Sequence, residues 1–207
     1  MRFRVAVAVS GRGSNLAALL KALAADEVAE VVLVLSNRAD AGALGIARDH
    51  GIPTHVLKDT SDPGEWIDTL DRAAVDLVVL AGYLKRVPAG VITAYRNRII
   101  NVHPALLPMH GGPGMYGAHV HQAVLAAGDQ ESGATVHVVT EEYDRGPVLG
   151  QARVPVRPDD TPETLAARVL SVEHRLLPAA VLAAARAGRP VPFSLDDAGE
   201  LAPAPQA

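Results

Sequence analysis

The chain has 207 residues, 49% of them apolar and 20% charged, with a formal net charge of −4. That describes one well-cored domain and withholds the basic face a nucleic-acid partner needs. It contains no cysteine, which excludes thiolate catalysis, disulfides and cysteine-type zinc sites, and its 3% aromatic content leaves the core to Val, Leu, Ile and Ala.

Apolar runs of strand length alternate with helical stretches. Val5–Val9 predicts a strand, followed by the turn Gly11-Arg12-Gly13-Ser14-Asn15 and a helix over Leu16–Ala24. Val31–Leu35 is the second strand and Ala43–His50 the second helix; a short strand at His55–Leu57 precedes the turn Asp62-Pro63-Gly64 and a helix over Glu65–Ala73. Asp76–Ala81 and Arg98–Asn101 are further buried strands, separated by a short helix near Ala89–Ala94, with His103 continuing the latter strand. After the Gly/Pro loop Pro108–Gly117, a helix near His119–Ala127 leads to strands around Ala134–Thr140 and Val148–Pro155. Thr161 as cap and Pro162 at the first helical position open a long last helix to about Ala187. The alternation predicts an α/β, Rossmann-like fold: a mostly parallel twisted sheet with helices on both faces and mixed pairing in the C-terminal half. No apolar run approaches the roughly 20 residues that span a bilayer, no signal-peptide pattern precedes the first strand, and a cytoplasmic location is the expectation.

Three segments carry chemistry. In Asn101-Val102-His103-Pro104, the proline pushes His103 toward extended geometry, so Asn101 and His103 point to the same side at the C-terminal end of a buried strand. An amide donor beside an imidazole suits a reaction that develops an oxyanion and moves a proton, although strand ends also collect polar residues for turn reasons. The glycine-rich turn offers free N–H groups and a positive helix end, which suits a phosphate. Leu16 stands where a dinucleotide fingerprint has its third glycine, so a monophosphate fits best, and Gly13→Val is expected to push a side chain into the anion's space. In Thr140-Glu141-Glu142-Tyr143-Asp144-Arg145-Gly146-Pro147, Asp144 could orient His103 and hold it protonated; an Asp in such a turn is otherwise a turn former. His119 and His121, with His110 nearby, lack the i,i+4 spacing of a helical zinc pair, so no metal is expected. His137 reads as a hydrogen-bonded core histidine.

The turn Ser-Gly-x-Gly-Ser-Asn-Leu, the run Asn-x-His-Pro-x-Leu-Leu-Pro, and Gly-Ala-Thr-Val-His-Val-Val-Thr followed by Asp144-x-Gly-Pro and Gln151 resemble the phosphoribosylglycinamide formyltransferase family, in order from about Val5 to about Pro178. The resemblance implies a single formyltransferase domain over 1–207, with a ribonucleotide and phosphate half over 1–100, a catalytic and folate half over 101–190, and a tail over 198–207 read as disordered. It implies that a glycinamide ribonucleotide amine attacks the formyl carbon of 10-formyltetrahydrofolate, a co-substrate, with no metal and no tightly bound cofactor. Asn101, His103 and Asp144 are then the catalytic set. Gly13, Ser14, Asn15, Leu16, Ala17 and Glu173 bind the ribonucleotide. Tyr83, Leu84, Lys85, Arg86, Val87, Asn101, Thr140, Glu141 and Asp144 line the folate site, and His137 supports the catalytic set from behind. Gly64 and Lys85 stand where relatives carry basic or arginine folate contacts, and the loop Met109–Gly117 is longer than in shorter relatives. The partners are small molecules, with no nucleic acid and no membrane; monomer and homodimer both fit.

Three alternatives compete. A formyltetrahydrofolate hydrolase is expected to carry an extra N-terminal domain, and a methionyl-tRNA formyltransferase a basic C-terminal one. From another class, an NADP-binding reductase or nucleotide-binding protein could use Gly11, Gly13 and Arg38, but leaves Asn101, His103 and Asp144 unexplained.

Overall fold

The computed structural model describes residues 1–196 and 199–202. Seven strands form one sheet: β1 (Phe3–Val9), β2 (Ala29–Ser36), β3 (Thr54–Val56), β4 (Leu77–Leu80), β5 (Ile99–His103), β6 (Glu131–Val138) and β7 (Val148–Pro155), in the spatial order β3-β2-β1-β4-β5-β6-β7. The helices are α1 (Ser14–Leu23), α2 (Gly42–Asp49), α3 (Pro63–Arg72), α4 (Ala89–Ala94), α5 (Ala118–Ala127) and α6 (Pro162–Ala187). Pairings among β1 to β5 are parallel, whereas β6 and β7 run antiparallel, which is the mixed sheet expected from sequence.

The continuous apolar strands serve two cores. Val5, Val7 and Val9 of β1 join one cluster with α1 and α6, while Ala6 and Ala8 join the other with Trp66, Leu70 and Val91 of α3 and α4. Alternate residues of a strand face opposite sides, so a strand covered on both sides must be apolar throughout. The chain order reverses beside β1, whose neighbours are β2 and β4. Crossovers leave in opposite directions there, and a crevice opens outside the carboxyl ends of the strands.

Boundaries differ from expectation in three places. Asp62-Pro63-Gly64 opens α3 instead of preceding it: Asp62 Oδ1 accepts from Gly64 N at 2.8 Å and Pro63 fills the first helical position. β6 starts and ends earlier than Ala134–Thr140, running from Glu131 to Val138. Within the stretch read as a disordered tail, residues 199–202 fold back, with Leu201 bridging to Leu195 and Ala202 N donating to Ser194 O at 2.9 Å. Residues 198 and 203–207 lie outside the described ones. Among the described residues, no helix is long and apolar enough to cross a membrane.

Candidate active site

A cleft of about 670 Å³ follows the strand ends, walled by the turn after β1, the segment after β4, the end of β5, the loop 112–118, the turn 139–144 and one side of α6. Asn101 and His103 both line it, as their two-residue spacing on β5 requires. Asn101 sits directly across from His137 in the antiparallel β5–β6 register. His137 Nδ1 lies 3.0 Å from the Val138 carbonyl oxygen, to which only a ring N–H can donate. Its Nε2 lies 3.1 Å from Asn101 Nδ2. The Asn101 amide is thus held beside His137 where it lines the cleft.

The fold brings Asp144 to His103 across 41 positions of sequence. Asp144 Oδ2 is 3.7 Å from His103 Nδ1, and Oδ1 is 3.4 Å from His137 Nε2. Asp144 adopts a left-handed conformation at φ +54, which Asp tolerates better than most residues. Gly146 lets the turn close over β6, since a Cβ there would collide with the Val138 carbonyl oxygen. Burial raises the Asp144 pKa, but His137, the Gly112 N–H at 2.9 Å and His103 outweigh it, leaving the carboxyl below its ordinary range. His103 moves the other way from expectation. Its burial disfavours the cation more than Asp144 favours it, so its pKa lies below that of a free imidazole. Asp144 thus offsets only part of the burial that disfavours a charged His103.

At the other end, Gly13 has φ +88 and passes the chain into α1, whose first N–H groups at Ser14, Asn15 and Leu16 have no partner within the helix. The buried Asn15 donates to Glu173 Oε2 of α6 at 2.7 Å, while its own Oδ1 is buried without a partner. Burial pushes the Glu173 carboxyl up, partly offset by Asn15. Tyr83, Leu84, Lys85, Arg86 and Val87 form the facing wall with Thr140 and Glu141. Arg86 Nη2 donates to the Glu141 carbonyl at 3.0 Å and its guanidinium lies 5.7 Å from the Tyr143 ring centre, so this wall is tied to the Asp144 turn.

A family model described as formyl transferase matches residues 3–181. The chain belongs to the formyl transferase family.

A phosphoribosylglycinamide formyltransferase of Escherichia coli is 40% identical over 182 residues, covering 84% of this chain and 83% of that one. The chloroplastic phosphoribosylglycinamide formyltransferase of Arabidopsis thaliana is 46% identical over 183 residues, covering 84% of this chain and 63% of that longer one. This chain thus spans less than two thirds of that plant relative. The crystal structure of phosphoribosylglycinamide formyltransferase from Anaplasma phagocytophilum superposes with a TM-score of 0.86 at 38% identity, covering 100% of this chain and 96% of that one.

Within this formyl transferase, two expected ribonucleotide residues face away from the cleft. The Leu16 side chain is wholly buried in the core, and the Ala17 N–H is already bonded to Gly13 O at 2.9 Å. Neither side chain lines the cleft, which leaves Gly13, Ser14, Asn15 and Glu173 there. Gly13 also has a different role than expected. A Cβ there would meet Ala43 Cβ of α2 at 2.6 Å, so the glycine serves close packing of α1 and α2 rather than room for an anion. Gly64 lies in the first turn of α3, its N–H held by Asp62, outside the cleft. Arg38, the residue a 2′-phosphate reader would need, is engaged by Asp40 through Nε at 3.0 Å and Nη2 at 2.7 Å, also outside the cleft.

Sequence reasoning missed four supports. The His110 carbonyl accepts from His103 Nε2 at 2.8 Å, and the Gly112 N–H holds Asp144; both are backbone groups with no sequence signal. Thr135 donates to Ala105 O at 2.6 Å and accepts from Leu107 N at 3.0 Å, and Gln151 Nε2 donates to Leu107 O at 2.9 Å. Thr135 could have been found from its pairing with His103 in the β5–β6 register.

Proposed function

We infer that the protein transfers the formyl group of 10-formyltetrahydrofolate to the amine of glycinamide ribonucleotide, a step of purine synthesis, with Asn101, His103 and Asp144 as its catalytic residues. The observation that carries the reading is one cleft joining an amide, a neutral imidazole and an ionised carboxylate to a helix N-terminus with a buried glutamate beside it. The phosphate sits against Gly13, Ser14 and Asn15, and Glu173 accepts from the sugar hydroxyls. The folate lies along residues 83–87 and 140–141.

When the amine attacks, a carbon–nitrogen bond forms and the formyl oxygen becomes an oxyanion. An N–H of Asn101 donates to that oxygen. His103 Nδ1, unprotonated at rest, takes a proton from the attached nitrogen, and the imidazolium is stabilised by Asp144 Oδ2. The same proton then goes to N10 of the folate as the carbon–N10 bond breaks and the carbonyl re-forms. Folate is consumed as a co-substrate, so the chemistry calls on no metal and no resident cofactor. The reaction is proposed to run in the cytoplasm, with small molecules as the only partners it needs.

Formyl transfer from 10-formyltetrahydrofolate, assayed with glycinamide ribonucleotide, water and charged tRNA as acceptors, tests this. Turnover with the ribonucleotide alone is expected. Equal folate consumption with and without ribonucleotide would make the protein a hydrolase instead.

A further inference from the structure

We propose that His110 and Asp129 form a positioning pair that sets the tautomer and direction of the His103 ring, an inference that rests on His103 as the proton carrier. A carbonyl oxygen only accepts, so the 2.8 Å approach of His103 Nε2 to His110 O requires the proton on Nε2. That leaves Nδ1, facing Asp144, as the nitrogen free for proton transfer. The working face of His103 is thus decided by where the His110 backbone stands.

That backbone is held in an unusual place. His110 has φ +52, in the left-handed region, and a residue stays there only when its surroundings over-determine it. The surroundings are the His110 side chain itself, whose Nε2 lies 2.5 Å from Asp129 Oδ2 with both side chains mostly buried. Asp129 is fixed in turn, following Gly128, the left-handed cap of α5, with its N–H directed to Val124 O at 3.4 Å. His110 is therefore tied to the end of α5 rather than to the glycine-rich segment that follows it. The neighbouring Gly112 N–H holds the Asp144 oxygen that faces His103, so the imidazole and the carboxylate beside it are both set from one short stretch. His110 and Asp129 do not line the cleft and act only through His103.

Steady-state kinetics and imidazole ¹⁵N spectra of Asp129→Ala, Asp129→Asn and His110→Ala test the pair. Asp129→Ala and His110→Ala are expected to lower kcat by about 10-fold or more, as small misplacements of a reacting group do, with KM for both substrates within about twofold. The His103 spectrum is expected to shift from the Nε2–H form to a mixture with Nδ1–H. Asp129→Asn keeps an oxygen acceptor for His110 and should retain most of kcat and the Nε2–H form. The double variant should be no worse than the poorer single one. An unchanged His103 tautomer in Asp129→Ala or His110→Ala, whether kcat falls or not, overturns the inference; should neither variant fold, a loss of kcat in Asp129→Asn with full retention of the Nε2–H form does the same. Full activity in His103→Ala would instead remove the functional assignment beneath it.

Discussion

Replacing Asp144 by Asn removes one charge and keeps the shape. In the wild type the carboxylate oxygen stands 3.7 Å from His103 Nδ1, with the two side chains 12% and 4% exposed. Two unit charges about 4 Å apart interact by roughly 4 kcal/mol at an effective dielectric of 20. The open side of the cleft and the reorganised amide recover part of that, leaving about 1.5–3 kcal/mol lost from the imidazolium formed during proton transfer. A barrier raised by that amount slows turnover by about 10- to 100-fold. Burial already holds the His103 pKa below its usual value, and without Asp144 it should fall further. Histidine titration followed by ¹H NMR, alongside kcat as a function of pH, reads both effects in one protein. His103→Ala should abolish the same step, and the double variant should be little worse than the poorer single one, because the residues act as a unit. Losses that multiply, with His103 titrating unchanged in Asp144→Asn, would refute the pairing.

Asn101→Leu should lower kcat by about 10²–10³ with modest change in either KM, the usual cost of one lost oxyanion donor; a rise in KM alone would make Asn101 a binding residue. Gly13→Val combines a left-handed φ with a Cβ 2.6 Å from Ala43 Cβ, so it should lose about 2–5 kcal/mol of stability and about 5–15 °C in Tm. A stable variant that selectively loses ribonucleotide affinity would restore the anion-space reading. Glu173→Gln tests the buried carboxyl. Its folded pKa is raised, so its contribution to stability is present below the unfolded pKa and is lost as pH rises through the folded one. Gln should therefore raise Tm at pH 7 and lose that advantage toward pH 4, while ribonucleotide KM rises about 10-fold from the lost acceptor oxygen. A pH-independent Tm difference would contradict the burial argument.

The alternation of strands and helices carried most of the fold because strands buried on both faces leave continuous apolar runs, and β1 and β4 both do so. What it missed at Asp62-Pro63-Gly64 was ambiguity of chemistry, since Asp before Pro marks a turn and a helix start equally well. The candidate site was legible wherever a side chain that lines the cleft stands next to a conformational marker: His103 before a proline, Asp144 before a Gly-Pro pair, Ser14 and Asn15 after a glycine. The magnitude and sign of the electrostatics were not legible. That Asp144 favours a cation on His103 follows from any close pairing, but the larger opposing effect is the burial of His103, which only the packed structure supplies. In the proposed mechanism the direction of proton transfer turns on that difference, because a ring neutral at rest would take the proton from the amine before giving one to the folate. The supports were hidden for a second reason. His110 and Gly112 act through a carbonyl and an N–H that every residue possesses, so their roles come from where the chain is bent and not from which letters it carries. The one letter that does bear on it is the His110 side chain, and its partner Asp129 lies 19 positions away across α5, a distance over which spacing makes no statement about contact.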